Sequence, residues 1–427
     1  MRVLCPALSS ISVSRVRRAG SGCIPCFVED WDYLMSKPVS HRRLIETANM
    51  DIRTIPLLKP SPSRLSQSIF DLIQHENSGI YSNFGPINSR FESRANQMLF
   101  DGDGECLTSN NATISLMIAI KESIYFNNRK RGRYALIPSF TFAATAHAAM
   151  WCGLTPILYD IEPDTWLPSQ EAELALLERH GDEIAAIVPY ATFGNSLDLN
   201  WYNTLATRTG AGIVIDAAAS LGSRDANDRA FGQGASMSVI YSMHATKTFA
   251  TSEGGLIYSA DKARIGRMRQ MSNFGFGTQR AADMPGLNAK LAELPALLAL
   301  KKLDEIDAIV ARRSALYHAY RANLPDFQFQ TLLGTRTAHQ FVPALMPDDC
   351  AISRDVFITR MKARGIQLGT YFSPHLAQQS YFRDLCLRDD LSVTEQIAAR
   401  IISFPLFDTM DDTELTYVCD CAIECLG

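Results

Sequence analysis

Short, almost uninterrupted apolar runs recur through the middle of the chain: Ala135–Pro138, Thr155–Tyr159, Ala185–Tyr190, Gly212–Ile215, Met237–Tyr241 and Leu256–Tyr258. Helix-length segments separate the first four. A strand that is apolar on consecutive residues must be covered on both faces, because successive side chains point to opposite sides. Strand–helix alternation of this kind predicts an α/β fold: a mostly parallel sheet between two helical layers. Ligands of such sheets sit beyond the carboxyl ends of the strands.

The rest of the 427-residue chain divides around that block. Residues 1–54 carry no periodic pattern and read as an N-terminal extension. A large domain is expected over 55–305 and a smaller α+β domain over 306–427. Within the first, helices are expected over 61–77, with Leu65, Ile69 and Leu72 on one face, and over Asn110–Ser123. A long helical stretch spans 289–325, with Pro295 suited to a first helical turn. In the smaller domain the pattern predicts strands at Gln340–Leu345 and Ile366–Phe372, and helices at Ser353–Arg364 and Asp411–Cys425.

Net charge is −4, which disfavours nucleic acid as a principal ligand. The uncharged stretch Tyr134–Tyr159 contains Pro138, Ser139, Thr141, Gly153 and Pro156, so it reads as buried strand–helix–strand and no membrane span is expected. Arg2, Arg15, Arg17 and Arg18 precede the first acidic residue, Glu29, without a continuous apolar segment, so no secretory signal is expected. The ten cysteines include one Cys-x-x-Cys, Cys23 and Cys26, and a cluster at Cys419, Cys421 and Cys425. Neither has partners at ligand spacing, so no metal is expected. Cys421 and Cys425 share a helix face as small buried side chains, and a reducing cytoplasm suits the set.

Lys247 lies in Tyr-Ser-Met-His-Ala-Thr-Lys-Thr-Phe-Ala-Thr-Ser-Glu-Gly-Gly, residues 241–255. Asp216 ends an apolar run and precedes Lys247 by 247 − 216 = 31 residues. Asp216, Ser242 and Lys247 each follow a predicted strand, so one cleft can gather them. A lysine on a small-residue loop and an aspartate at a buried strand end are what pyridoxal phosphate chemistry needs. The lysine makes a Schiff base with the cofactor aldehyde, and the carboxylate keeps the pyridine nitrogen protonated.

Five motifs in order strengthen this reading: Pro138-Ser-Phe-Thr-Phe-Ala-Ala-Thr-Ala-His, the Asp216 run, His244-Ala-Thr-Lys247, Glu253-Gly-Gly and Asn273-Phe-Gly. Together they resemble the DegT/StrS-type sugar aminotransferases over about residues 55–425. The resemblance implies fold type I, with a seven-stranded type of mostly parallel sheet, and pyridoxal 5'-phosphate as cofactor. It makes Lys247 the Schiff-base lysine and proton carrier, and Asp216 the partner of the ring nitrogen. Phe142 would stack on the ring. Ser242 would bind the cofactor phosphate, as would Ser109, Asn110 and Asn111, which stand where the family usually has Ser-Gly-Thr at a helix start. Gly286-Leu-Asn-Ala-Lys resembles the loop that reaches the phosphate of a neighbouring subunit. Asn288 and Lys290 would then act across a homodimer with shared sites. Tyr371 and His375 are candidate substrate contacts.

Two positions depart from the family. Ala219 replaces the Gln or His usually placed three residues after the aspartate. In Tyr371-Phe-Ser-Pro-His-Leu-Ala the family's histidine position falls on Ala377, with His375 two residues earlier. By resemblance, the expected activity is transfer of an amino group from an amino acid, usually glutamate, to a keto sugar, foremost a nucleotide-linked 4-keto-6-deoxyhexose. The alternatives are an aminotransferase for another cyclic ketone such as a cyclitol, and a catalytically silent cofactor-binding regulator. A sugar dehydratase of the same fold typically has histidine where Lys247 stands.

Overall fold

Eleven strands define the architecture in the computed structural model, which describes residues 54–127 and 132–427. In chain order they are β1 Glu105–Ser109, β2 Tyr134–Pro138, β3 Thr155–Tyr159, β4 Ile184–Ile187, β5 Gly212–Asp216, β6 Ser238–Ser242, β7 Gly255–Ser259, β8 Gln328–Phe329, β9 Val342–Leu345, β10 Leu387–Arg388 and β11 Ile401–Phe404. The large sheet has the order β1-β7-β6-β5-β4-β2-β3-β10. Neighbours from β10 to β6 run parallel, while β7 pairs antiparallel with both β6 and β1. The fold is therefore the expected α/β type with a mostly parallel sheet. It has seven principal strands and a two-residue edge strand, β10.

The continuous apolar character of the strands has a direct cause. Leu136, Ile157, Tyr159, Ile213 and Ile215 enter the core on one face of the sheet. Ala135, Ile137, Leu158 and Val214, which alternate with them, enter the core on the other. Helix Ala112–Phe126 covers the second face with Leu116, Ala119 and Ile120. It starts where the side chain of Asn111 accepts a hydrogen bond from Ile114 N at 2.9 Å, a side-chain N-cap.

The predicted helical stretch at 289–325 is two helices, Glu293–Lys302 and Ile306–Asn323, with Pro295 in the first turn of the former. The expected helix over 61–77 is shorter, a 3-10 turn at Leu65–Gln67 followed by Ile69–Ser78. The segment 366–372 is not a strand. It makes two isolated bridges, Ile55 to Ile366 and Gly369 to Ser403. The second sheet runs β11-β9-β8.

Ile55 makes an isolated bridge to Ile366, and β10, which lies between β9 and β11 in sequence, joins β3 of the large sheet. Cys421 and Cys425 are buried in helix Asp412–Leu426, as their spacing implied. No helix among the described residues is long and apolar enough to cross a membrane. The expected extension over 1–54 and the Cys23/Cys26 pair lie, but for Thr54, outside the described residues.

Candidate active site

The carboxyl ends of β2, β4, β5 and β6 open on one cavity of about 580 Å³. Asp216 is the last residue of β5, and Ser242 the last of β6. Lys247 lies on the loop after β6, before the chain turns back as β7. Phe142 stands at the N-cap of helix Ala143–Trp151, just past β2. These four, with Asn111 and Tyr371, line the cavity. Their gathering follows from the topology: parallel strands bring residues far apart in sequence to one edge of the sheet.

Asp216 is buried, and burial raises the pKa of its carboxyl. Three groups favour its charged form: Thr145, whose Oγ1 donates to Oδ2 at 2.5 Å; Ala218, whose N–H donates to Oδ1 at 3.1 Å; and the charge of Lys247. Burial acts in the opposite sense on Lys247, whose pKa is lowered to about 8 against the attraction of Asp216. Its Nζ donates to Gln340 Oε1 at 3.0 Å. Phe142 leaves 58% of its surface uncovered on the cavity wall.

Beside Lys247, Thr248 Oγ1 donates to His339 O at 2.9 Å. Ser242 Oγ accepts from His244 N at 3.3 Å, and His244 Nε2 lies 3.6 Å from Glu253 Oε1. The first turn of helix Ala112–Phe126 also faces the cavity through Ala112 and Thr113, where backbone N–H groups have no partner within the helix. Close packing fixes that turn. A Cβ added to Gly255 would come within 2.4 Å of Ser115 Oγ and 2.7 Å of Ser109 Oγ.

The remaining predicted residues stand elsewhere. Ser109 is fully buried, with its Oγ bonded to Asn111 O at 2.8 Å and Ser115 Oγ at 2.5 Å, so it braces the helix start rather than lining the cavity. Asn110 donates its N–H to Ala289 O at 2.8 Å and leaves a buried Oδ1 without a partner among the described residues. Asn288 is exposed, and Lys290 Nζ bonds Asn273 Oδ1 at 2.9 Å; neither lines this chain's cavity.

His375, a candidate substrate contact, does not line the cavity. It is fully buried, its Nδ1 is 2.8 Å from Ser139 Oγ, and burial lowers its pKa to about 4. Sequence reasoning missed Thr145, Tyr190 and Gln340. The first lay inside a quoted motif, and the second ended a predicted strand. Gln340 opened another predicted strand and had no local signal.

The residues present fit pyridoxal phosphate. A buried carboxylate with no basic side chain in a salt bridge to it, among the described residues, suits a protonated ring nitrogen. An amine with a lowered pKa suits an aldehyde, an exposed phenyl face suits an aromatic ring, and a helix start suits a phosphate.

Comparison with known proteins agrees. The sequence model of the DegT/DnrJ/EryC1/StrS aminotransferase family matches residues 65–422. A solved structure from Bacillus cereus ATCC 10987, assigned as a PLP-dependent aminotransferase, is 36% identical with a TM-score of 0.82, covering 87% of this chain and 100% of its own. DesI, solved in the presence of its TDP-sugar product, is 27% identical with a TM-score of 0.78, covering 87% of this chain and 93% of its own. The dTDP-4-amino-4,6-dideoxy-D-glucose transaminase of Escherichia coli is 25% identical over 370 residues, 85% of this chain and 96% of that protein. The chain belongs to the DegT/DnrJ/EryC1/StrS aminotransferase family and is a pyridoxal-phosphate-dependent aminotransferase.

Proposed function

We propose that this enzyme transfers an amino group from an amino acid, glutamate foremost, to a nucleotide-linked 4-keto-6-deoxyhexose. The observation that carries the chemistry is the meeting of Asp216, Lys247 and Phe142 around one cavity. The sugar reading is supported by the similarity to DesI and to the Escherichia coli transaminase, whose names refer to a TDP-sugar and a dTDP-amino sugar.

Pyridoxal phosphate supplies an aldehyde that receives the donor's amine and a ring that stores the electron pair left when a carbon loses its proton. Asp216 would keep the ring nitrogen protonated. Thr145 and the Ala218 N–H hold its carboxylate in place, and the pyridinium charge would offset the cost of burying it. Phe142 would cover one ring face. Lys247 is the proton carrier. With a pKa near 8, an appreciable share of its amine is unprotonated close to neutral pH, so it can take a proton from the reacting carbon and return it. Ser242, Asn111 and the first turn of helix Ala112–Phe126 would hold the phosphate. Asn288 and Lys290, which lie off their own chain's cavity, would complete the phosphate site of a second copy in a homodimer. A reducing, cytoplasmic setting suits the free cysteines of the described chain.

The test is to incubate the purified protein with glutamate and a panel of keto-sugar nucleotides, keto-cyclitols included, and to identify products by mass spectrometry. An amino sugar nucleotide supports the proposal. Amination of a cyclitol alone, or of nothing in the panel, overturns it.

A further inference from the structure

Gln340 stands 93 residues from Lys247 in sequence and touches it in space: the Nζ of Lys247 donates to Gln340 Oε1 at 3.0 Å. Both residues line the cavity, and Gln340 is almost wholly covered. The segment carrying Gln340 is held from two sides. Arg313, buried in helix Ile306–Asn323, donates through Nη1 to the carbonyls of His339 and Gln340 at 3.0 and 3.1 Å, and through Nε to Asp408 at 2.6 Å. Thr248, next to Lys247, donates to the carbonyls of His339 and Ala338 at 2.9 and 3.4 Å. His339 also stacks on Tyr317, with ring centroids 4.0 Å apart. The hydroxyl of the residue after the lysine and the backbone of residues 338–340 are thus tied together, so the amide oxygen and the amine are held to one another and not merely adjacent.

We propose that Gln340 is a positioning residue of this enzyme: its uncharged side-chain oxygen holds the free amine of Lys247 and aims it into the cavity without placing a negative charge beside it. The proposal rests on Lys247 being the reacting lysine. A carboxylate at this position would serve as an acceptor equally well but would stabilise the ammonium form, which can neither attack an aldehyde nor take up a proton. An amide separates the two tasks, orienting the amine while leaving its basicity to burial and to Asp216. The contact also has to be released when the lysine engages the cofactor, and a neutral acceptor gives up less on release than a charged one.

The other titratable groups that line the cavity with Lys247, among the described residues, are Asp216 at the end of β5, Tyr190 after β4, His244 and Glu253 on its own loop, and Tyr371. The Arg313–Asp408 pair and His339 stand behind Gln340. All are common to the parent and to variants at position 340, so a difference between them reports on that side chain.

The experiment strips the full-length protein of cofactor with hydroxylamine and then follows covalent capture of added pyridoxal phosphate from pH 6 to 10. The adduct on Lys247 is fixed with borohydride and counted by mass spectrometry. No sugar substrate is involved, so the result is independent of which ketone the enzyme aminates. Gln340→Glu is expected to move the midpoint of the capture profile upward by about one pH unit or more, making capture roughly tenfold slower below the parent midpoint. Gln340→Asn, which withdraws the acceptor by one methylene, is expected to slow capture at an unchanged midpoint. A Gln340→Glu profile that coincides with the parent's overturns the proposal. If Gln340→Glu does not fold, Gln340→Asn decides: slower capture at the parent's midpoint supports the proposal, and capture at the parent's rate overturns it.

Discussion

Thr145 Oγ1 donates to Asp216 Oδ2 at 2.5 Å, joining the first turn of the helix after β2 to the carboxyl end of β5. The bond holds a buried carboxylate whose only other hydrogen-bond donor, among the described residues, is the N–H of Ala218. It gives Asp216 one orientation.

Replacing Asp216 with Asn is expected to leave some cofactor bound but to slow turnover by roughly a hundredfold or more, since an amide cannot balance a pyridinium charge. Thr145→Val, which removes one donor to the carboxylate, should cost less, on the order of tenfold. Steady-state rates of the two variants under saturating donor check the ranking. Full activity in Asp216→Asn would contradict the electrostatic role.

Glu173 provides a pH test of the fold. It is fully buried and accepts from Tyr159 OH at 2.7 Å, Trp201 Nε1 at 2.7 Å and Tyr202 OH at 3.1 Å. Burial nevertheless pushes its pKa up to about 7. The folded form therefore holds a proton that the unfolded chain, with a glutamate pKa of about 4.3, has already lost. This contribution to stability is complete below about pH 4.3 and is lost as the pH rises through 7, at up to about 1.4 kcal/mol per pH unit. Urea unfolding of the parent and of Glu173→Gln between pH 5 and 8 should show the slope in the parent and a flatter profile in the variant. Equal slopes would show that Glu173 does not titrate there.

How much of this was legible in the sequence depends on where each signal lies. β3 was read at its full length because Pro156, Ile157, Leu158 and Tyr159 are buried in succession, on both faces of the strand. β1, Glu105-Cys-Leu-Thr-Ser, was missed because its buried polar groups find their partners only in the folded chain: Thr108 bonds Asn88 and Glu92, and Ser109 bonds Ser115. The second sheet was misread at 366–372 because β9 pairs with β11, and no local pattern specifies a partner nearly sixty residues away. The meeting of Lys247 and Asp216 in one cavity was readable from the strand ends they follow. Gln340 was not, since its meaning comes only from the contact that the fold creates. Tyr371 lines the cavity while His375, four residues on, is buried outside its lining, a difference that nearness in sequence does not signal.

A mixed-dimer experiment tests whether two chains build each site. The loop 286–290 is anchored in its own chain through Asn273–Asn288 pairing and the Asn110–Ala289 hydrogen bond, and it presents Asn288 to solvent. If it serves a second copy, a Lys247→Ala chain mixed with an Asn288→Ala, Lys290→Ala chain should regain part of the parental activity, because one site of the pair is complete. No recovery, with mixed dimers verified and each parent inactive, would mean that the loop does not act across an interface.

The most direct measurement is on Lys247 itself. The purified parent should be yellow, and borohydride should fix the cofactor to a peptide containing Lys247. Lys247→Ala should abolish both that adduct and amino transfer, because the covalent anchor and the proton carrier are lost together. Turnover of Lys247→Ala at the parental rate, or a cofactor adduct on a different lysine of the parent, would contradict the account.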